Sequence, residues 1–220
     1  MSGSGAPDPS WHRMTRDSTR RRRAFTLIEM IGVLAIFAIL ASLLFPKVFD
    51  AINNARISNA LLSLQTVKTA VIEHNGKFSA LNSLNGTNLP VPPSGAYTNY
   101  DGVLVAEGFL EKPFAVKLGT SATIQLVDIS ALASTTTPDG SNGAYDLNGD
   151  GNNNVVGAYL IEAVIFGVLQ SDARALNDRL DGTSLGESGG SNQDFLGRVI
   201  YHKPPGQGTL YEVHIYITHR

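Results

Sequence analysis

Residues 20–29 read Arg-Arg-Arg-Arg-Ala-Phe-Thr-Leu-Ile-Glu, and they open an apolar run that extends to Phe45. From Phe25 to Phe45 the run has 21 residues, of which Glu29 alone is ionisable. As a helix it would be about 31 Å long at about 1.5 Å per residue, close to the thickness of the hydrocarbon layer of a bilayer. A charged side chain in hydrocarbon is costly, so we expect Glu29 to have a compensating partner.

Charge is distributed unevenly along the chain. Residues 1–24 hold six Arg and two Asp, a net charge of +4, which leaves −6 for the rest of a chain whose total is −2. Because basic flanks stay cytoplasmic, the sequence predicts a cytoplasmic amino end and an exported body. An acidic exported body lacks the electrostatic footprint of nucleic-acid binding, so no nucleic-acid partner is expected.

Three simpler explanations compete for the apolar run. A cleavable signal peptide has an apolar core of about 7–15 residues and an A-x-A site, whereas this run is longer and residues 38–46 contain no such site. Arg22-Arg23 loosely fits twin-arginine export, but those signals have a weak apolar core. A plain signal anchor explains the length and leaves Glu29 unexplained.

The stretch from Arg23 to Glu29, followed by an apolar helix, closely resembles the class III signal of type IV prepilins and type II secretion pseudopilins. The resemblance implies that a prepilin peptidase cuts between Ala24 and Phe25 and N-methylates Phe25. It also implies that Glu29 meets the terminal ammonium of Phe25 on a neighbouring subunit and so sets the register of assembly. Opposite charges attract strongly in a medium of low dielectric, whereas each alone is costly.

One position departs from the family pattern and another follows it. Ala24 stands where the family has Gly, and it is still a small residue, so cleavage is expected to be kept. Pro46 falls where many members carry a proline late in the apolar helix. Proline removes a backbone donor, so Pro46 is a predicted helix break.

The sequence divides into four segments. We predict a cleaved leader at 1–24 and a membrane and filament-core helix at 25–45. An amphipathic continuation of the helix follows at 46–76, and one globular domain at 77–220. Apolar side chains in the continuation recur mostly every three or four residues and are expected to pack on the domain's own sheet: Phe49, Ile52, Ile57, Leu61, Leu64, Val67 and Val71. Gly76 is the predicted end of the helix.

The globular domain shows further helix and strand signals. Residues 79–100 are rich in Asn, Ser, Gly and Pro, and 88–95 predict an exposed loop. Residues 102–114 predict a short helix that ends at Gly108. We predict a strand over 120–131, a helix over 172–180 capped by Ser171 and stopped at Asp181-Gly182, and strands over 198–202 and 209–218. The apolar stretch 155–169 fits a buried strand or a buried helix, and its length favours the helix. The expected fold class is α+β, pilin-like: a long N-terminal helix packed on a C-terminal antiparallel sheet, with extra short helices.

One segment has the spacing of a calcium loop. Alternate oxygen side chains match its first half, at Asp146, Asn148, Asp150 and Asn152. Gly157 occupies the twelfth position, where a bidentate Glu belongs, so a remote carboxylate would have to complete the site: Asp172, Asp178, Asp181 or Asp194. A Gly- and Asn-rich turn without an ion remains the alternative.

No catalytic constellation is recognisable, so a structural protein is expected rather than an enzyme. The chain has no cysteine. His202, His214 and His219 lie close together in the terminal strands, and His202 is predicted to face His214 across the hairpin. We favour paired surface histidines over a zinc site there.

These observations predict a pseudopilin of a type II secretion filament, with a type IV or competence pilin as the alternative. A membrane-anchored, exported, calcium-dependent binding protein is the alternative from another class. The resemblance implies four kinds of partner: other copies of the chain, minor pseudopilins, the prepilin peptidase and an inner-membrane assembly platform. It also implies a single pass through the bacterial inner membrane, a periplasmic domain, and then a filament in the periplasm or at the cell surface.

Overall fold

One long helix precedes an antiparallel sheet in the computed structural model, which describes residues 25–79, 81, 83–84, 87–88, 97–182, 185, 192–206 and 208–220. Three helices are present in these residues: α1 (Leu27–Phe78), α2 (Asp101–Ala106) and α3 (Gln170–Leu180). The strands there are β1 (Ser83–Leu84), β2 (Thr87–Asn88), β3 (Tyr97–Asn99), β4 (Ser121–Asp128), β5 (Tyr159–Val168), β6 (Val199–His202) and β7 (Tyr211–His219).

The main sheet has the strand order β3-β4-β5-β7-β6, and every neighbouring pair is antiparallel. Strand β5 lies at its centre and β6 at one edge. Strands β1 and β2 form a separate two-stranded pair. The α+β, pilin-like fold expected from the sequence is therefore confirmed.

The chain separates into two compact units, residues 1–47 and 48–220. In the first unit, the described part of α1 exposes almost all of its side chains. In the second unit, one face of α1 joins the apolar core with the sheet: Ile57, Ala60, Leu64, Val67, Ala70 and Val71. The predicted stripe was wrong at its start, because Phe49 is 63% exposed and Ile52 is 44% exposed.

A polar contact lies beside the start of this buried face. The guanidinium of Arg179, in α3, donates to Oδ1 of Asn54 at 2.8 Å and to Oγ of Ser58 at 2.9 Å. Arg179 thus binds α1 at one residue before and one residue after Ile57 in the sequence, and Ile57 is the first buried side chain of the helix.

The predicted end of α1 at Gly76 was wrong, because the helix continues to Phe78. Aromatic contacts hold this last turn: the ring of Phe78 lies 4.9 Å from that of His74 and 6.2 Å from that of Phe109. The helix ends at Ser79, whose φ of 54° is left-handed.

The helix predicted over 155–169 was also wrong, because this segment forms β5. Ile161, Ala163 and Ile165 face the core that contains α1, whereas Leu160 joins a second cluster on the other side of the sheet. Both faces are buried, so the apolar residues run on without the alternation that marks a half-exposed strand.

The remaining predicted elements are close to the observed ones. The strand expected over 120–131 is β4, and the two terminal strands are β6 and β7. Helix α2 ends before Gly108, whose φ of 76° suits a glycine C-cap. The Ser171 cap was wrong: α3 begins at Gln170, after an extended Leu169 that makes no side-chain capping bond. Most of the loop predicted over 88–95 lies outside the described residues.

Candidate functional site

Glu29 takes part in a reciprocal cap at the amino end of α1. Its Oε2 accepts hydrogen bonds from the backbone N–H and the hydroxyl of Thr26, both at 2.9 Å. In return, the hydroxyl oxygen of Thr26 accepts the backbone N–H of Glu29 at 3.3 Å. The carboxylate is therefore directed back towards the start of its own helix, where the helix dipole also favours negative charge.

The sequence analysis missed this cap, although its signal is present. Thr26-Leu27-Ile28-Glu29 has the T-x-x-E spacing of a capping box. Of the predicted processing residues, Phe25 is described and is 80% exposed. Ala24 lies outside the described residues. Pro46 is inside α1, and the helix is continuous through it.

The first unit presents an apolar surface on all sides of its helix. Within the described residues, α1 is the one helix long and apolar enough to cross a membrane, and none of its apolar window is buried. Large exposed side chains include Leu27, Phe37 and Phe45, each more than 60% exposed. A surface of this kind requires a bilayer or another apolar partner.

Residues 19–45 match the family model of the prokaryotic N-terminal methylation motif. The match supports a type IV prepilin- or pseudopilin-like family for this chain, and its apolar helix fits a membrane-anchored protein of that kind. Neither the curated proteins nor the solved structures gave a match. The match covers 27 of the 220 residues and supports a type IV pilin-like or pseudopilin subunit in general, without distinguishing the two.

The residues with calcium-loop spacing form a turn that satisfies its own polar groups. Oδ1 of Asp146 accepts the N–H groups of Gly149 and Asp150 at 2.7 and 3.0 Å, and Oδ2 accepts that of Gly151 at 2.7 Å. Asn148 donates its side-chain amide to the Asp150 carboxylate at 3.0 Å. Asp146 thus uses three of its roughly four acceptor sites within its own turn.

Two of the four carboxylates proposed to complete the site have other partners. Asp181 accepts the N–H groups of Arg198 and Val199 at 2.8 and 2.7 Å, and Asp194 accepts the side-chain amide of Asn177 at 2.7 Å. In the part of the chain that the structure describes, no group of three or more His, Asp or Glu could hold a metal ion. The calcium site stays a prediction.

We expect calcium and EDTA to leave the melting temperature of the processed protein unchanged, because Asp146 already has three backbone donors. A bound ion at 100 times its Kd would add about 2.7 kcal/mol, which is roughly 5–10 °C for a domain of this size. Differential scanning calorimetry with calcium, with EDTA and with magnesium as the control distinguishes the two outcomes. A calcium-specific rise that Asp146→Asn abolishes would restore the calcium site.

A second polar cluster lies on the loop-covered face of the sheet. Nδ1 of His214 lies 3.2 Å from Oε1 of Glu162, and Nε2 of His214 lies 3.1 Å from Oε1 of Glu212. The hydroxyl of Tyr145 donates to Oε2 of Glu162 at 2.6 Å. His214 and Glu162 are almost fully buried, at 5% and 1% exposure.

The carboxylates of Glu162 and Glu212 determine the charge of His214 in this cluster. Burial alone would lower the pKa of His214, but Glu162 and Glu212 outweigh burial and raise that pKa to about 9. His214 is therefore a cation at neutral pH. His202 and His214 lie close, with ring centroids 5.7 Å apart, but the prediction that they face each other was wrong, because His202 pairs with Glu212. His214 is also buried rather than at the surface.

Proposed function

We propose that the protein is a structural subunit, a major-pseudopilin relative, of a type II secretion filament. The observation that carries this proposal is the fully exposed apolar helix, which follows a matched methylation signal and has Glu29 capped at its amino end. Its work is mechanical rather than enzymatic. Subunits leave the membrane, join a helical filament through this helix, and push or scaffold exported cargo.

In the proposed assembly step, Glu29 exchanges one partner for another. Before assembly, Thr26 provides the donors for the carboxylate. After cleavage, the terminal ammonium of Phe25 on a neighbouring copy offers a full opposite charge in a medium of low dielectric. This order makes cleavage before Phe25 a precondition for assembly.

The same proposal assigns partners and location. The leader stays in the cytoplasm, α1 crosses the inner membrane once, and the second unit is periplasmic until the filament forms. The prepilin peptidase processes the chain, and an inner-membrane platform and minor pseudopilins assist its assembly. The excess of arginine before Phe25 supports this orientation.

Processing is expected to depend on the size of residue 24. Ala24→Leu should block removal of the leader, because the family's cut follows a small residue, whereas Ala24→Gly should be cut at least as fast as the unchanged chain. Trp11 is the sole tryptophan, so removal of the leader abolishes tryptophan fluorescence. Intact mass gives the same readout, and Ala38→Leu, inside the apolar run, is the matched control that should be cut normally.

The finer assignment is tested by deleting the gene and complementing it. We expect the loss of secreted enzymes with motility and DNA uptake unchanged. Loss of motility or DNA uptake instead would indicate a type IV or competence pilin. Normal function of the chain in a strain that lacks prepilin peptidase would exclude both and favour a membrane-anchored binding protein.

A further inference from the structure

His202 occupies the end of edge strand β6, where its ring stacks on a buried cation. The centroids of His202 and His214 are 5.7 Å apart and their planes differ by 24°. Along the backbone, His202 pairs with Glu212, and His214 pairs with Ile200, so the two imidazoles are diagonal neighbours on one face. Strand β6 has four residues, and β7 is its one neighbouring strand in the main sheet. On its other side, Tyr201 exchanges two backbone hydrogen bonds with Asp194, at 2.8 and 2.9 Å.

The charged and titratable groups around His202 come from several elements. Strand β7 supplies Glu212 and His214, the loop before β5 supplies Asp139, and β5 places Glu162 behind His214. Nδ1 of His202 is buried and has no hydrogen-bond partner among the described residues. A Cβ on Gly140 would lie 2.5 Å from this nitrogen, so the loop backbone approaches the ring closely.

We propose that His202 makes the β6–β7 hairpin acid-sensitive: protonation of its ring places a second cation against His214 and loosens β6 from the edge of β7. The neutral ring stacks on His214, and its buried nitrogen can be the unprotonated acceptor, which costs less to leave unpaired than a charged N–H. A protonated ring carries an N–H at that buried nitrogen and needs either an acceptor or water. The ring can obtain water only by leaving the stack and the Gly140 loop.

The direction of the pH dependence follows from this environment. Burial, and then the charge of His214, lower the pKa of His202 from its ordinary value of 6.5, although Glu212 and Asp139 oppose the shift. A base whose pKa is lower in the folded state is protonated first in the unfolded state. The stabilisation is therefore complete above about pH 6.5 and is lost as the pH falls towards the folded pKa. Loosening β6 would uncover the backbone groups of β7, which another strand could then pair with.

The test compares the full processed chain with His202→Gln, in detergent, by amide hydrogen exchange at about pH 7.5 and about pH 5. At the lower pH, we expect peptides covering 199–202 and 211–219 to exchange several-fold faster in the unchanged chain than in His202→Gln. At the higher pH, we expect the two proteins to exchange at the same rate in these peptides. The melting temperature of the unchanged chain should fall by roughly 2–4 °C more than that of the variant between these pH values.

His219→Gln is the matched control, because it makes the same change at a partly exposed histidine at the end of β7. It should keep the full acid response. His202→Phe is the second variant, since it retains a flat ring without a titrating nitrogen. The acid response is the faster hydrogen exchange and the lower melting temperature at about pH 5. The proposal would be overturned if both His202 variants showed the same acid response as the unchanged chain. It would also be overturned if His219→Gln lost that response.

Discussion

Glu29→Leu is expected to leave the protein in the membrane but to reduce its incorporation into filaments at least about tenfold. The apolar run becomes more apolar, so insertion is retained. The terminal ammonium of Phe25 on the adjoining copy then has no opposite charge, and an unpaired charge in an apolar interface is costly. The measurement is the ratio of sheared filament to membrane-bound subunit, by immunoblot of separated fractions.

Two further variants separate the charge of Glu29 from its capping role. Glu29→Gln keeps an oxygen that can accept from Thr26 but loses the charge, so it should fail nearly as badly as Glu29→Leu. Thr26→Val removes the hydroxyl of the cap and keeps the charge, so filament yield should be largely retained. Filament formation by Glu29→Gln together with failure of Thr26→Val would assign Glu29 to the cap and contradict the intersubunit pair.

Glu162→Ala is expected to destabilise the folded domain by about 3–5 kcal/mol, because it removes the fully buried partner of the His214 charge and leaves only Glu212, whose side chain is 22% exposed. Tyr145 also loses its acceptor. A loss of that size corresponds to a fall of roughly 10 °C in melting temperature. Tyr145→Phe, which removes one hydrogen bond, should cost about 1–1.5 kcal/mol, and the exposed Glu73→Ala should stay within about 0.5 kcal/mol.

The dependence of the free energy of unfolding on pH above neutrality, the alkaline limb of the stability curve, tests the same network. The pKa of His214 is raised to about 9 from an ordinary 6.5, so its protonation stabilises the folded state fully below about pH 6.5. That contribution is lost as the pH rises through about 9. Glu162→Gln should flatten this limb in urea unfolding experiments between about pH 7 and about pH 10. An equal alkaline decline in both proteins would contradict the pairing of Glu162 with His214.

The sequence predicted features that depend on local spacing better than those that depend on distant partners. The C-terminal hairpin and the end of α2 each depend on a few adjacent residues, and the structure agrees with them. The methylation signal is equally local, and the family model matches it. The cap between Thr26 and Glu29 is equally local and was available from its T-x-x-E spacing. Strand β5 could not be separated from a helix, because burial of both faces removes the period-two pattern.

The buried network of Tyr145, Glu162 and His214 could not be predicted from the sequence, for a different reason. Tyr145 and His214 lie 17 and 52 residues from Glu162, and only the sheet register and the covering loop bring them together. The calcium-loop spacing identified Asp146, but it could not reveal that the carboxylate serves three N–H groups of its own turn.

The contacts of Arg179 have a mechanical consequence for a protein whose proposed work is to move. Its guanidinium binds Asn54, three positions before the first buried side chain, Ile57. Tension drawn along α1 from its amino end therefore reaches the exposed hydrogen bond at Asn54 before it reaches Ile57, and it reaches the exposed hydrogen bond at Ser58 directly after Ile57. Such bonds break and re-form quickly in water, so Arg179 can yield under load and recover while the core packing stays intact.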